Sequence, residues 1–125
     1  MRSILACAVL LAAGTAVPAV AQTSPNLSAA FGACIGRAGS NTVQRDICAQ
    51  REVGSQDDRL NKAYQHVMRQ FASDPARKLA LRDQERRWIA ERDYTCKVNG
   101  NTVDNGCIVI KTAARADELE SQVKF

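Results

Sequence analysis

The sequence predicts an all-α fold: a small helical bundle built on a long antiparallel helical hairpin and stapled by two disulfides. Three observations predict it. Leu60, Tyr64, Val67 and Phe71 recur at i, i+4, i+7 and i+11, an apolar stripe on one helix. Leu81, Trp88 and Thr95 repeat every seven residues on a second, and only Ser73-Asp74-Pro75 separates the two, so they fold back as antiparallel neighbours. No stretch shows the sustained alternation of a half-buried strand.

The chain begins with a segment expected to lie outside that fold. Arg2 precedes an almost wholly apolar run from Ile4 to Val20, and Ala19-Val20-Ala21 supplies a small-x-small cleavage site. Residues 1–21 therefore read as a signal peptide and 22–125 as one helical domain. The run is too short, and too interrupted by Gly14 and Pro18, for a membrane span. Ile4-Leu5-Ala6-Cys7 loosely resembles a lipid-attachment box, but most of the apolar stretch follows Cys7, the reverse of what such a box requires. Without the leader, five cysteines become four: Cys34, Cys48, Cys96 and Cys107. An even set in a small exported chain reads as two disulfides in an oxidising compartment, periplasmic or secreted. The Cys-x-x-Cys pairs that zinc would need are missing.

The elements follow in order. Residues 22–26 are polar and expected to be flexible. Leu27, Ala30, Phe31, Cys34 and Ile35 predict a helix over about 27–37, ended by Gly39-Ser40-Asn41. Asn41 or Thr42 caps a second segment carrying Val43, Ile47 and Cys48. Gly54 interrupts that segment, and Ser55 to Asp58 resembles a capping box, so a third helix starts near Gln56. Asp74 is the N-cap of the fourth, with Pro75 in its first turn, and that helix runs to about Lys97. A loop with Asn99, Gly100, Asn105 and Gly106 follows. A last helix presents Ile108, Arg115 and Leu119 on one side.

Cys34 with Cys48 and Cys96 with Cys107 would each close a loop of about 10–15 residues, worth about 2–3 kcal/mol in the chain-entropy model. These local pairs are favoured. Cys48–Cys96 with Cys34–Cys107 stays open, because the end of the fourth helix lies beside the start of the third in an antiparallel hairpin.

No reaction centre is legible. His66, the only histidine, has Lys62, Arg69 and Gln70 as helical neighbours and reads as a surface residue. Asp57 with Asp58, or Asp93 with Glu91, read as ion-pairing or capping groups rather than a catalytic pair. No Ser-His-Asp signature, zinc-protease motif or phosphate-binding glycine loop occurs, and no cofactor is implied. Without Arg2 the chain carries 16 Lys+Arg against 13 Asp+Glu, interspersed as in Arg82-Asp83-Gln84-Glu85-Arg86-Arg87, which argues against a nucleic-acid stripe. Asp57, Asn61, Gln84, Asp93 and Arg115 are the polar groups expected to brace the helices, with Gln84 beside Trp88 and with Asp93 or Asp57 as partner to Arg115.

Several spaced motifs now stand together. Cys34 precedes Ile47-Cys48; Asp57-x-x-Leu60-Asn61-x-x-Tyr64 and Gln84-x-x-x-Trp88-x-x-x-Arg92-Asp93-x-x-Cys96 follow; Cys107, Arg115 and Leu119 close the series. In this the chain resembles the small exported bacterial domains of the lysozyme inhibitor LprI-like, N-terminal domain family. It departs from their pattern at Gly54, where a more hydrophobic residue is usual, and at Arg87, where a small one commonly precedes the Trp. The resemblance implies a helical, disulfide-stapled envelope domain, in a family named for a member that inhibits lysozyme. Inhibition of lysozyme-type muramidases is the leading expectation, and the missing reaction centre reads as no enzyme. Occlusion of the enzyme's cleft is the mechanism expected, and residues 97–106 the first place to look. Vertebrate-type lysozymes are basic, so a basic inhibitor forgoes long-range attraction. The rival reading is an interaction module for another envelope protein or a wall polymer, without lysozyme inhibition. An envelope hydrolase is the weakest, for want of a catalytic constellation.

Overall fold

The computed structural model describes residues 25–125; the expected leader, with Cys7, and residues 22–24 lie outside them. Four helices and one small hairpin make up the described chain: α1 (Ala29–Ala38), α2 (Thr42–Gln70), α3 (Pro75–Thr95), β1 (Lys97–Val98), β2 (Thr102–Val103) and α4 (Asn105–Ser121). None of these helices is long and apolar enough to cross a membrane.

Polar caps begin all four helices, each side chain accepting from a free amide of the first turn. Ser28 accepts from Phe31, Asn41 from Gln44, Asp74 from Arg77 and Asp104 from Cys107. The cap on α2 is therefore Asn41, and Asp74 with Pro75 opens α3.

The expected break at Gly54 does not occur. α2 runs unbroken for 29 residues, about 43 Å, so four helices stand where five were expected. Its buried face continues past the glycine, which faces solvent: Ala49, Glu52, Gln56, Leu60, Ala63 and Val67 follow one another at helical spacing. Two of those residues are polar, so the stripe is invisible to a reading of apolar periodicity. Gln56 Nε2 donates to Glu52 Oε1 at 2.6 Å, and the Ser28 amide and hydroxyl donate to the same carboxylate at 2.8 and 2.5 Å. This node ties the start of α1 to the middle of α2. Ser55, the supposed cap, is an exposed mid-helix residue.

α4 lies parallel to α2, and α3 antiparallel to both. Asn105 donates to Asp46, Arg59 pairs with Asp117 and Glu120, and Gln70 meets Gln122, which marks the parallel register. The backbones come closest between α2 and α4. Small residues allow it: Ala113 and Ala116 face inward with Val109, and Ala49 and Ala63 answer them from α2. α3 meets the same core through Leu81, Glu85, Trp88 and Arg92, larger groups that hold its backbone further off. Leu60, Ala63, Val67, Leu81, Ala116 and Leu119 form the buried cluster, flanked by Tyr64, Met68, Phe71 and Trp88.

Disulfides Cys34–Cys48 and Cys96–Cys107 join α1 to α2 and α3 to α4, the local pairs favoured from spacing. The N-terminal segment differs from expectation at Asn26. Asp117 accepts from its backbone and side-chain amides at 3.0 and 3.1 Å, while Gln56 and Arg59 donate to its carbonyl at 3.2 and 3.1 Å. A short polar residue is pinned there because both sides of its peptide find partners on α2 and α4.

Gly54 is exposed, and nothing lies within 4 Å of where a Cβ would stand. Gly54→Ala is expected to stabilise the domain by about 0.5–1 kcal/mol, read as a higher thermal midpoint. A lowered midpoint would contradict an unstrained, solvent-facing helix at this position.

Burial raises the proton affinity of Glu52, but Ser28, Gln56 and Arg59 outweigh it and hold the carboxyl below its ordinary range. Asp117 is likewise depressed: burial opposes, while Arg59 and Asn26 prevail. A depressed carboxylate contributes stability that is fully present above its unfolded value. That stability is lost as pH falls through the folded one. Stability should therefore decline below about pH 4. Denaturant titrations across that range should show a shallower acid dependence for Glu52→Gln, and an unchanged slope would remove Glu52 from the account.

Candidate functional site

Two surfaces collect the residues that sequence singles out: the space between α2 and α3, and the hairpin between α3 and α4. The first is organised around Trp88. Its half-buried indole receives the guanidinium of Arg92 at 5.2 Å and that of Arg115 at 6.0 Å from the ring centre. Arg115, on the inward face of α4, is 8% exposed. A guanidinium so far from water needs a carboxylate, and Glu85 supplies it, accepting from Nε at 3.0 Å and from Nη2 at 2.9 Å. Glu118 adds a second contact at 2.9 Å from the wetter side. Burial works against the charge on Arg115, yet Glu118 and Glu85 more than restore it.

The expected partners of Arg115 are thus engaged elsewhere. Arg92 pairs with Asp93 at 2.9 Å and with Asp57 of α2 at 3.5 Å, and donates to the buried Thr112 hydroxyl at 3.3 Å. Asp57 does not cap a helix, since α2 is already continuous there. Gln84 is exposed and enters none of these ion pairs or hydrogen bonds. Helical arithmetic allows either residue 84 or residue 85 between Leu81 and Trp88 on the inward face, and the buried cation opposite selects the acid at 85. Thr95 is exposed as well, and Cys96 takes the buried position at the end of that face. Leu60 and Leu119 are buried in the core, Tyr64 is half-buried beside them, and Asn61 is exposed. Asp58 and Glu91 are exposed and His66 stands on the wet face of α2.

The largest polar cluster is one the sequence did not announce. Arg59 donates from Nε and Nη2 to Glu120 at 2.7 and 2.5 Å and from Nη2 to Asp117, and these contacts hold it firmly protonated. The partners lie 58 and 61 residues apart, so no local spacing signals them.

The second surface is the hairpin. Lys97 pairs with Val103 and Val98 with Thr102, antiparallel, around a tip in which Asn99 and Gly100 take φ of 45° and 79°. Asn and Gly are the residues that accept such a tip at least cost. Cys96–Cys107 closes the base, and the Asp104 amide donates to the Cys96 carbonyl at 2.9 Å. Every residue from Lys97 to Asp104 is exposed. What reads in sequence as a loop is a short, framed projection; two-residue strands are too brief to leave an alternating pattern.

Glu85→Ala leaves the buried Arg115 without its inner partner. It is expected to lower unfolding free energy by about 3 kcal/mol, whereas Gln84→Ala should change it by less than about 0.5 kcal/mol. Urea melts of the two variants check the assignment of residue 85 to the inward face, and equal effects would refute it.

A family model described as Lysozyme inhibitor LprI matches residues 34–119, from the first of the four cysteines to the buried Leu119. A search of curated proteins and a search of solved structures each found no match to the chain.

Proposed function

The chain belongs to the lysozyme inhibitor LprI family, and from that premise we propose that it is an exported envelope protein that inhibits lysozyme-type muramidases by occluding their cleft. The family match carries this reading; the hairpin supplies a means. Residues 97–103 project, are anchored at their base by a disulfide, and carry Lys97, Asn99 and Asn101. A muramidase cleft holds two carboxylates about 5–9.5 Å apart, and an ammonium or amide group offers what such a pair accepts. A rigid base lowers the entropy lost on insertion. The net positive charge of the chain gives no steering toward a basic muramidase, so recognition rests on short-range fit. The same reading makes the protein a non-enzyme placed in the periplasm or outside the cell, its leader removed after residue 21.

Oxidised residues 22–125, titrated into a cell-wall clearing assay, are expected to slow lysozyme at micromolar excess. Lys97→Glu with Asn99→Asp should weaken inhibition by at least about tenfold, since both put negative charge opposite the enzyme's carboxylates. No slowing across several lysozyme classes would sink the inhibitor reading and leave the envelope interaction module. Full inhibition by the double variant would sink the hairpin mechanism alone.

A further inference from the structure

The motifs running from Asp57 to Tyr64 and from Gln84 to Cys96 are left largely unused by the hairpin. Asp57, Leu60, Asn61 and Tyr64 of α2 and Trp88 and Arg92 of α3 line one open groove of about 450 Å³. Its charged groups are of two kinds. Asp57, Glu85 and Arg92 already hold partners within the fold. Arg82 and Arg86, also on the groove, are exposed and have no ion-pair partner among the described residues. They stand one helical turn apart, about 6 Å along the axis of α3. Asn61 adds an exposed amide from the opposite wall. Leu60, Trp88 and Ile89 supply an apolar lining, and Ile89 is 40% exposed.

The unspent capacity is thus a pair of cations and an amide beside an apolar surface. We propose that this groove binds an acidic peptide segment of a partner protein. One apolar side chain of the segment seats against the exposed Ile89, and two carboxylates meet Arg82 and Arg86. Guanidinium groups take carboxylates in paired hydrogen bonds, and acidic residues one turn apart on a helix, or two apart on a strand, match the spacing of the arginines. A carboxylated glycan would satisfy the arginines too, but a sugar ring also needs a free aromatic face. The Trp88 ring already carries Arg92 and Arg115, and Tyr64 packs against the core cluster. That engagement of both rings favours the peptide. This site is independent of the hairpin and of lysozyme inhibition.

Trp88 is the single tryptophan and lies in the groove, so its emission reports occupancy. The oxidised protein would be titrated with a short amidated peptide carrying glutamates one helical turn apart with leucines between them. A saturable change with Kd below about 1 mM is expected, absent with the glutamine counterpart. Arg82→Gln with Arg86→Gln should weaken it by at least about tenfold, and added salt should weaken it too. Both arginines are exposed, and matched unfolding midpoints confirm that the variant keeps the fold. No saturable change up to about 1 mM overturns the proposal, as does equal binding by the variant. Tighter binding of a carboxylated oligosaccharide overturns the peptide as occupant.

Discussion

The buried guanidinium of Arg115 is the constraint on which the arrangement of the helices turns. α2 and α4 hold each other by close packing of alanines, valine and leucine, but α3 has a single buried side chain, Leu81. Hydrophobic burial alone would fix α3 loosely. It is placed instead by four ties: the turn at Phe71–Asp74, the Glu85–Arg115 pair, the Arg92 contacts to Asp57 and Thr112, and the Cys96–Cys107 bond. The central tie is enforced by cost. A cation that deep cannot stay unpaired, and Glu85 is the carboxylate within reach on α3, so the rotation of α3 about its own axis is set by electrostatics. Trp88 and Arg92 then follow, because they share a face with Glu85.

This explains which parts of the fold were legible in sequence. The stripe of Leu60, Tyr64, Val67 and Phe71 was readable because all four residues are apolar and obey one period. The caps at Asn41 and Asp74 were readable because capping is local chemistry. The continuity of α2 was not. It depends on Glu52 and Gln56, whose burial is compensated by Ser28 and Asn26, 24 and 30 residues away. A period search counts such residues as polar and finds a gap, and Gly54 then looks like the cause. Burial of a polar side chain is a property of its partners, and the partners here are remote.

The candidate surfaces divide along the same line. The motif residues announced themselves by type and spacing, but their roles depended on which carboxylate met which cation. Helical arithmetic could not separate residue 84 from residue 85, and the assignment of Arg115 to Asp93 or Asp57 failed for that reason. The Arg59 cluster left no trace in spacing, since α2 and the end of α4 contribute its halves. The region after α3 was legible as Asn/Gly-rich, but a hairpin with two residues per strand carries too little sequence to declare its geometry.

Bracing and display are consequently separate tasks in this chain, though the same motifs serve both. Satisfying Arg115 from α3 fixes one face of that helix inward and leaves Arg82 and Arg86 outward along a groove. The size of Trp88 and Arg92 keeps α3 from closing onto α2, so the groove persists as a by-product of the packing. At the far end of α3 the disulfide that closes the helix pair also fixes the base of the hairpin. On the two proposed readings, the groove takes an anionic segment while the hairpin meets a partner by shape. Neither task draws on the charges already spent inside.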